Sequence, residues 1–308
     1  MAETLQRATI APEGSVWYNQ MMPFVEAVNN SGTDLTIEVF AGGQLGNMED
    51  TFRNTLSGRT DIWSGVIPVM SAVVPELGIY NLPYLFADND ELKCIIPQMV
   101  DATRALVGDR FAILTIVPVG SQNIEGISPI RVPSDLQGVP MRSAPVGASM
   151  AFFQSLGATP QPLPAPETPS AVNTGLVTAL DFDYVYLFLT GVHRTARYLT
   201  TTSHNQNLGG YVVSPRTWAR LNEAQQQALV TAAQGIDFGA SVDGIAGFQD
   251  MMAQRAVADG AEMVNLIDDE RAQWIAAGRA IWGGVLEGTR GDPQAFLAQI
   301  EAARLNCN

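Results

Sequence analysis

The stretch Asp135-Leu136-Gln137-Gly138-Val139-Pro140-Met141-Arg142-Ser143-Ala144 decides how this chain is read. Gly138 and Pro140 open a short apolar run, Val139–Ser143, with the character of a buried strand. Arg142 sits in that run and is the only Lys or Arg between Arg131 and Arg194. A guanidinium stays charged at any accessible pH, so burying it requires an anion or a full set of acceptors. Its planar fork matches a carboxylate through two parallel hydrogen bonds. Two readings follow. The anion is a bound solute, or it is an internal partner such as Glu167 or Asp183.

Moving outward, Val146–Leu156 reads as a helix stopped by Gly157, and Glu167–Thr174 as a second short helix before a strand over Val177–Asp183. Upstream, Leu5–Ala11 reads as the first strand. Ser15–Asn29 is a helix, and Leu35–Phe40 alternates as a strand. Asn47 caps a helix running to Ser57, and Asp61–Val66 is a third strand. This βαβαβ order implies a parallel sheet with helices on its faces. A helix over Asp88–Leu106 leads to Phe111–Val119, an apolar run expected of a central strand. Near Val119–Asn123 the pattern restarts, and the second unit ends near Thr200–Ser203. Gly210–Ser214 reads as a strand returning to the first sheet. Arg216 to about Ala258 is mostly helical, with breaks possible at Gly235, Gly239 and Gly244, and helices over Asp268–Leu286 and Asp292–Leu305 finish the chain.

Composition excludes several classes. With 17 basic and 31 acidic residues the net charge is −14, which opposes binding to nucleic acid phosphates or to anionic lipid. No apolar window is long enough to span a membrane. There is no Gly-x-Gly-x-x-Gly, P-loop or Gly-x-Ser-x-Gly. His193 and His204, the only histidines, lie in different segments without metal-ligand spacing, and two cysteines alone cannot build a zinc site. The residues therefore speak for binding rather than catalysis, and neither metal nor cofactor is expected.

The block after Arg142 resembles the solute-binding proteins of tripartite ATP-independent periplasmic (TRAP) transporters. Those proteins place a ligand arginine on the strand before a helix, followed by a Leu-Gly-Ala-x-Pro turn, here Leu156-Gly157-Ala158-Thr159-Pro160. A Glu then opens a helix ending in Gly, here Glu167 to Gly175. Further matches are Gly43-Gln44-Leu45-Gly46, Leu82-Pro83-Tyr84-Leu85-Phe86, Pro129 to Asp135-Leu136, and Tyr198-Leu199-Thr200 with Ser203-His204.

The resemblance implies an α/β, two-lobed periplasmic-binding-protein (Venus-flytrap) fold. Each lobe is a mixed sheet flanked by helices, and a long helix spans the lobes. Lobe I takes residues 1–119 with about 205–246, and lobe II takes 120–204 with about 247–308. It implies a monomer that holds a small carboxylate in the cleft and delivers it to membrane permease subunits, without inserting in the membrane itself. A receptor for a sensor kinase and a carboxylate-acting enzyme remain rival uses of the scaffold. A periplasmic location is expected, and the start Met1-Ala2-Glu3 reads as a mature chain whose signal peptide has been removed. An oxidising compartment favours joining Cys94 to Cys307 over leaving two buried thiols.

The same comparison sorts the candidate ligand residues. Arg142 is the carboxylate fork. Gln122 stands where the family often has a second basic residue. Counting back from Tyr198-Leu199-Thr200 sets Leu180-Asp181-Phe182-Asp183 against the family's Gln-Glu-Asn-Pro, so Phe182 replaces a ligand Asn. Tyr186 falls where some members stack an aromatic on the solute, and Asn207 where the family lines the cleft again. Trp17 and Trp63 are further aromatic candidates, with core packing as the plain alternative. Asp183 would meet an amine or hydroxyl, or else cap a helix. These replacements predict one carboxylate on a solute with an apolar or aromatic body.

Overall fold

The computed structural model describes residues 3–145 and 147–307. Expected positions Met1, Ala2 and Val146 lie outside the described residues. Nine strands form one sheet: β1 (Glu3–Thr9), β2 (Leu35–Phe40), β3 (Ile62–Val66), β4 (Ala112–Gly126), β5 (Pro140–Ser143), β6 (Thr159–Pro162), β7 (Ala179–Phe182), β8 (Tyr198–Val213) and β9 (Glu262–Val264). The strand order is β2-β1-β3-β8-β4-β7-β5-β6, with β9 paired to β8. The helices of the first half are α1 (Val16–Asn29), α2 (Met48–Leu56), α3 (Ile67–Met70) and α4 (Asn89–Val107). The second half contributes α5 (Gly147–Ser155), α6 (Thr168–Asn173) and α7 (Tyr184–Leu189). Six more follow: α8 (Pro215–Arg220), α9 (Glu223–Gln234), α10 (Phe238–Ala258), α11 (Asp268–Ala280), α12 (Trp282–Gly288) and α13 (Pro293–Leu305).

Local chemistry fixes most of these boundaries. Ser15 accepts from the Tyr18 amide and starts α1, whose Met21, Phe24, Val25 and Val28 recur at helical spacing and are buried. Asn47 and Asp88 cap α2 and α4 in the same way. In β2, buried Leu35 and Ile37 alternate with exposed Thr36 and Glu38, so one face is covered and the other wet. Between Arg216 and Ala258 the chain breaks at Leu221-Asn222, where Asn222 caps α9, and around Gly235, where Asp237 caps α10. Gly239 and Gly244 lie inside that helix.

The restart expected near Val119–Asn123 is not a break. β4 runs unbroken from Ala112 to Gly126, and β8 runs from Tyr198 to Val213, where two separate segments were expected. These two strands pair antiparallel along their length and carry the sheet from one lobe to the other. β3 joins β8 at its far end, β7 joins β4 past Asn123, and β9 joins β8 at Tyr198–Thr200. Register shifts fall between Pro118 and Gly120 and between Gln122 and Ile124. Gly120 takes φ +135°, and a Cβ there would meet the Gln249 side chain of α10 at 2.8 Å, so glycine lets α10 lie close to the strand. α10 packs on β4, α7 and α4 and so bridges both lobes.

Two elements escape the periodicity. β6 contains Pro160 and Pro162 and lies at the end of the sheet, where missing amide donors cost least. α7 is a six-residue helix started by Asp183. The C-terminal helix also departs from its expected place. α13 packs on α4 and on the 3-10 segment Pro75–Asn81, in the core that holds Trp63, Ile95 and Phe111. A disulfide joins Cys94 of α4 to Cys307, with the Cα atoms 5.8 Å apart. That helix therefore sits with the first lobe, because its apolar stripe (Phe296, Ile300, Ala303) fills the first core.

Candidate ligand-binding site

Arg142 lies on β5 opposite Leu180 of β7 and is 3% exposed. Its Nε donates to the Leu163 carbonyl at 3.2 Å. Its Nη1 donates to the Asp181 carbonyl at 3.0 Å and to Asp181 Oδ1 at 3.2 Å. The internal partner is thus Asp181, not Glu167 or Asp183. Among the described residues no acceptor meets Nη2.

Phe182 holds the guanidinium from below. The Arg142 central carbon is 4.0 Å from the Phe182 ring centroid, a cation–π distance. The Tyr186 ring stacks on Phe182 at 4.2 Å and 12°. The guanidinium and the Tyr186 ring thus both pack on Phe182. This corrects the expectation that Phe182 offers its ring to the solute: it is 7% exposed and belongs to an apolar core cluster. The Tyr186 hydroxyl donates to the Ala165 carbonyl, and burial pushes its pKa up to about 12. Asp183 takes its plainer role, accepting from the Tyr186 amide at 2.9 Å as the cap of α7.

Three buried carboxyl groups cluster here, and two of them, Asp181 and Glu125, act on the arginine. Burial pushes Asp181 up to about 6, although Arg142 opposes the shift. Burial likewise pushes Asp183 up to about 6. Glu125 of β4, paired with Leu180, is fully buried and neither of its oxygens has a partner among the described residues. Burial first, then the neighbouring Asp181 and Asp183, raise it well above the usual carboxylate range. Burial and these two neighbours therefore favour the protonated form of Glu125.

The remaining candidates are spread out. Gln122 is buried on β4, and its Oε1 accepts from Asn205 Nδ2 at 3.1 Å. Trp17 is half-buried, donates to the Val119 carbonyl at 2.8 Å, and packs against the cores of both lobes. Trp63 is a core residue: it has no exposed surface, its Nε1 donates to the Met48 carbonyl, and its ring lies 4.8 Å from that of Phe52. Glu167 is exposed and its side chain caps nothing. Asn207 lines a cavity of about 920 Å³ together with Asn123, Tyr184, Gln249 and Arg271. Arg142, Phe182 and Gln122 are not among the residues lining that cavity. Among the described residues no group of three His, Cys, Asp or Glu could hold a metal.

Sequence reasoning missed Asp181 as the arginine's partner, although the count from Tyr198 had already put it at the family's Glu. The shortened acid keeps the charge within reach of Arg142 while its own strand keeps it buried. For Asn205 and Asn81, which prove to lie next to Gln122, no local signal exists.

The profile of the bacterial extracellular solute-binding proteins, family 7, matches residues 7–288. The chain belongs to that family. Among relatives, the ectoine/5-hydroxyectoine-binding periplasmic protein UehA of Ruegeria pomeroyi is 23% identical over 283 residues, covering 88% of this chain and 82% of its own. The ectoine-binding periplasmic protein TeaA of Halomonas elongata is 24% identical over 250 residues, covering 78% and 72%. In structure, the ectoine-binding protein of the Halomonas elongata TRAP transporter superposes with a TM-score of 0.91 at 20% identity, covering 99% of this chain and 100% of its own. A TRAP solute-binding protein of Roseobacter denitrificans with bound β-D-glucuronate gives 0.87 at 20% identity, covering 97% and 99%. This family-7 chain is therefore a TRAP-type solute-binding protein and not an enzyme, with the two-lobed fold of its relatives. No helix among the described residues is long and apolar enough to cross a membrane.

Proposed function

We propose that this protein captures a small organic acid in the periplasm, holds its carboxylate at Arg142, and passes it as a monomer to membrane permease subunits. The observation that carries the reading is the state of Arg142. It is buried, stacked on Phe182, and tied through Nε and Nη1, while Nη2 meets no acceptor among the described residues. Asp181 neutralises the charge without closing the fork. Such a guanidinium is oriented before the solute arrives, which lowers the cost of ordering it on binding. Ectoine and β-D-glucuronate, named for two of the relatives, each carry a carboxylate, whereas the sn-glycerol-3-phosphate bound to another carries a phosphate instead.

With Phe182 buried and packed against Arg142 and Tyr186, the aromatic-acid preference gains no support from its ring, and the solute's body must be recognised elsewhere. The test is a thermal-shift series with ectoine, D-glucuronate, succinate and phenylacetate, each beside its neutral amide or alcohol counterpart. The reading requires stabilisation by at least one acid and none by its neutral counterpart. Equal stabilisation by the neutral partner would remove the carboxylate from the account.

A further inference from the structure

Gln122 belongs to a row of four buried polar side chains drawn from four separate segments. Asn81, at the end of the Pro75–Asn81 segment, donates through Nδ2 to Ser149 Oγ of α5 at 2.9 Å. Asn205 of β8 donates through Nδ2 to Asn81 Oδ1 at 2.7 Å and to Gln122 Oε1 at 3.1 Å. All four side chains are buried.

The bond directions in this row are coupled. A primary amide donates at one end and accepts at the other. Because Asn205 gives both of its N–H bonds away, Gln122 must turn its oxygen toward Asn205. Its Nε2 then points away from the row, and among the described residues nothing accepts from it. The opposite polarity, begun by a Ser149 hydroxyl that donates, would turn every amide over and leave Gln122 presenting an oxygen. The row also crosses the cleft, since Asn81 lies in the first lobe, Ser149 in the second, and β4 and β8 run between them.

We propose that Asn81, Asn205 and Ser149 are positioning residues that fix the Gln122 amide so that it presents N–H donors to an oxygen of the solute. The site then recognises a second acceptor, a hydroxyl or carbonyl oxygen, without a second positive charge. This rests on the reading of Arg142 as the carboxylate fork. It also makes lobe closure and donor orientation one event, because the Asn81–Ser149 bond forms only when the lobes meet.

Three isosteric changes that each add one carboxylate separate orientation from charge. In Asn81→Asp, the new oxygens still accept from Asn205 and can accept from the Ser149 hydroxyl, so the polarity is kept. In Asn205→Asp nothing donates to Gln122, whose amide must turn over. In Gln122→Glu the bond from Asn205 is kept, but no donor faces the solute. Titrations of D-glucuronate and ectoine at pH 8 should show Asn81→Asp within about threefold of wild type. Asn205→Asp and Gln122→Glu should each weaken binding by about tenfold or more, the scale of one unpaired buried polar group.

Equal losses in Asn81→Asp and Asn205→Asp would overturn the proposal, since charge alone would then explain both. Thermal unfolding without solute tests the polarity separately: Asn205→Asp should melt lowest, and equal melting of all three overturns it. Should Asn205→Asp fail to fold, Gln122→Glu against Asn81→Asp gives the same comparison. A preserved response to these changes beside an Arg142→Ala variant that still binds normally would instead refute the carboxylate reading.

Discussion

The guanidinium of Arg142 and the hydroxyl-bearing ring of Tyr186 both pack on Phe182, at 4.0 Å and 4.2 Å from its centroid. The three side chains form a cluster set by the chain itself: β7 ends in Phe182, Asp183 turns the backbone into α7, and Tyr186 comes round one turn later. The arginine is thus braced by neighbours in sequence to each other but distant from it.

Phe182→Leu removes the platform but not the charge. All carboxylates should then bind more weakly by a similar factor, about three- to tenfold on the cation–π scale. A change of preference among acids, rather than a uniform loss, would mean that Phe182 touches the solute after all. Isothermal titration with three acids of different shape decides it.

Arg142→Ala should weaken carboxylate binding by about thirtyfold or more, because truncating one side of a buried charge pair costs roughly 2–5 kcal/mol. Arg142→Lys should recover only part, since a point charge lacks the fork. Binding by Arg142→Ala within about threefold of wild type would be incompatible with the proposed site.

Asp181 ties solute binding to pH. With its pKa pushed up to about 6, it is ionised at pH 7.5 and largely protonated at pH 5.5. Across that window Arg142 loses its internal counter-charge, while a solute carboxylate of ordinary pKa stays ionised. Affinity should therefore rise as pH falls from 7.5 to 5.5, with uptake of protons on binding. Titration calorimetry in two buffers of different ionisation enthalpy reads both quantities, and a falling affinity would contradict it. The sign for folding is the same. Asp181 and Asp183 are both raised above their unfolded values, so their contribution is most favourable at low pH and is lost as pH rises through about 6.

Glu125→Gln exchanges a buried acid, whose ionisation its surroundings disfavour, for an amide of like shape. The denaturation midpoint should move least at the acid end of the pH range, where a neutral group replaces a neutral group. At pH 9 the variant should be the more stable, because wild type meets a growing cost of ionising Glu125 inside the protein. A variant that loses ground with rising pH would show that Glu125 is ionised in the native state.

Removing the Cys94–Cys307 bond by double substitution to Ala should cost about 2–5 kcal/mol of stability, as expected for a long closed loop, and leave carboxylate affinity within about twofold. The bond joins α4 to the end of α13, and neither element contributes to the Arg142 cluster. A large affinity loss would mean that the first lobe's frame reaches the site.

Much of the fold was legible because caps and periodicity are local. Ser15, Asn47 and Asp88 announce helices whose apolar faces follow at once, and two lone cysteines leave one pairing to consider. β4 and β8 were legible only in pieces. Their sequences show no sustained polar–apolar alternation through Gly120-Ser121-Gln122-Asn123 and Asn205-Gln206-Asn207, and Gly120 and Gly209-Gly210 read as stops although they lie within strands. Arg142 stood out because nothing around it is charged alike. Its partner did not, since Asp181 lies 39 residues away and the pairing depends on β5 lying beside β7. Trp63 shows the limit of residue type: a large aromatic with an N–H suits a cleft or a core, and only its packing against Phe52 tells which.

The two long strands also govern how the molecule can be made. The first core needs Leu208 and Val212 from β8, Phe238 and Val242 from α10, and Phe296 and Ile300 from α13. This core therefore cannot close until the C-terminal helix is available, whereas the cluster around Leu5 and Phe24 needs nothing beyond α9 and Ile236. Such distant pairing slows folding, because the entropy of closing long loops is lost before the contacts return it. Core closure in the first lobe is thereby tied to the arrival of the chain's last helix.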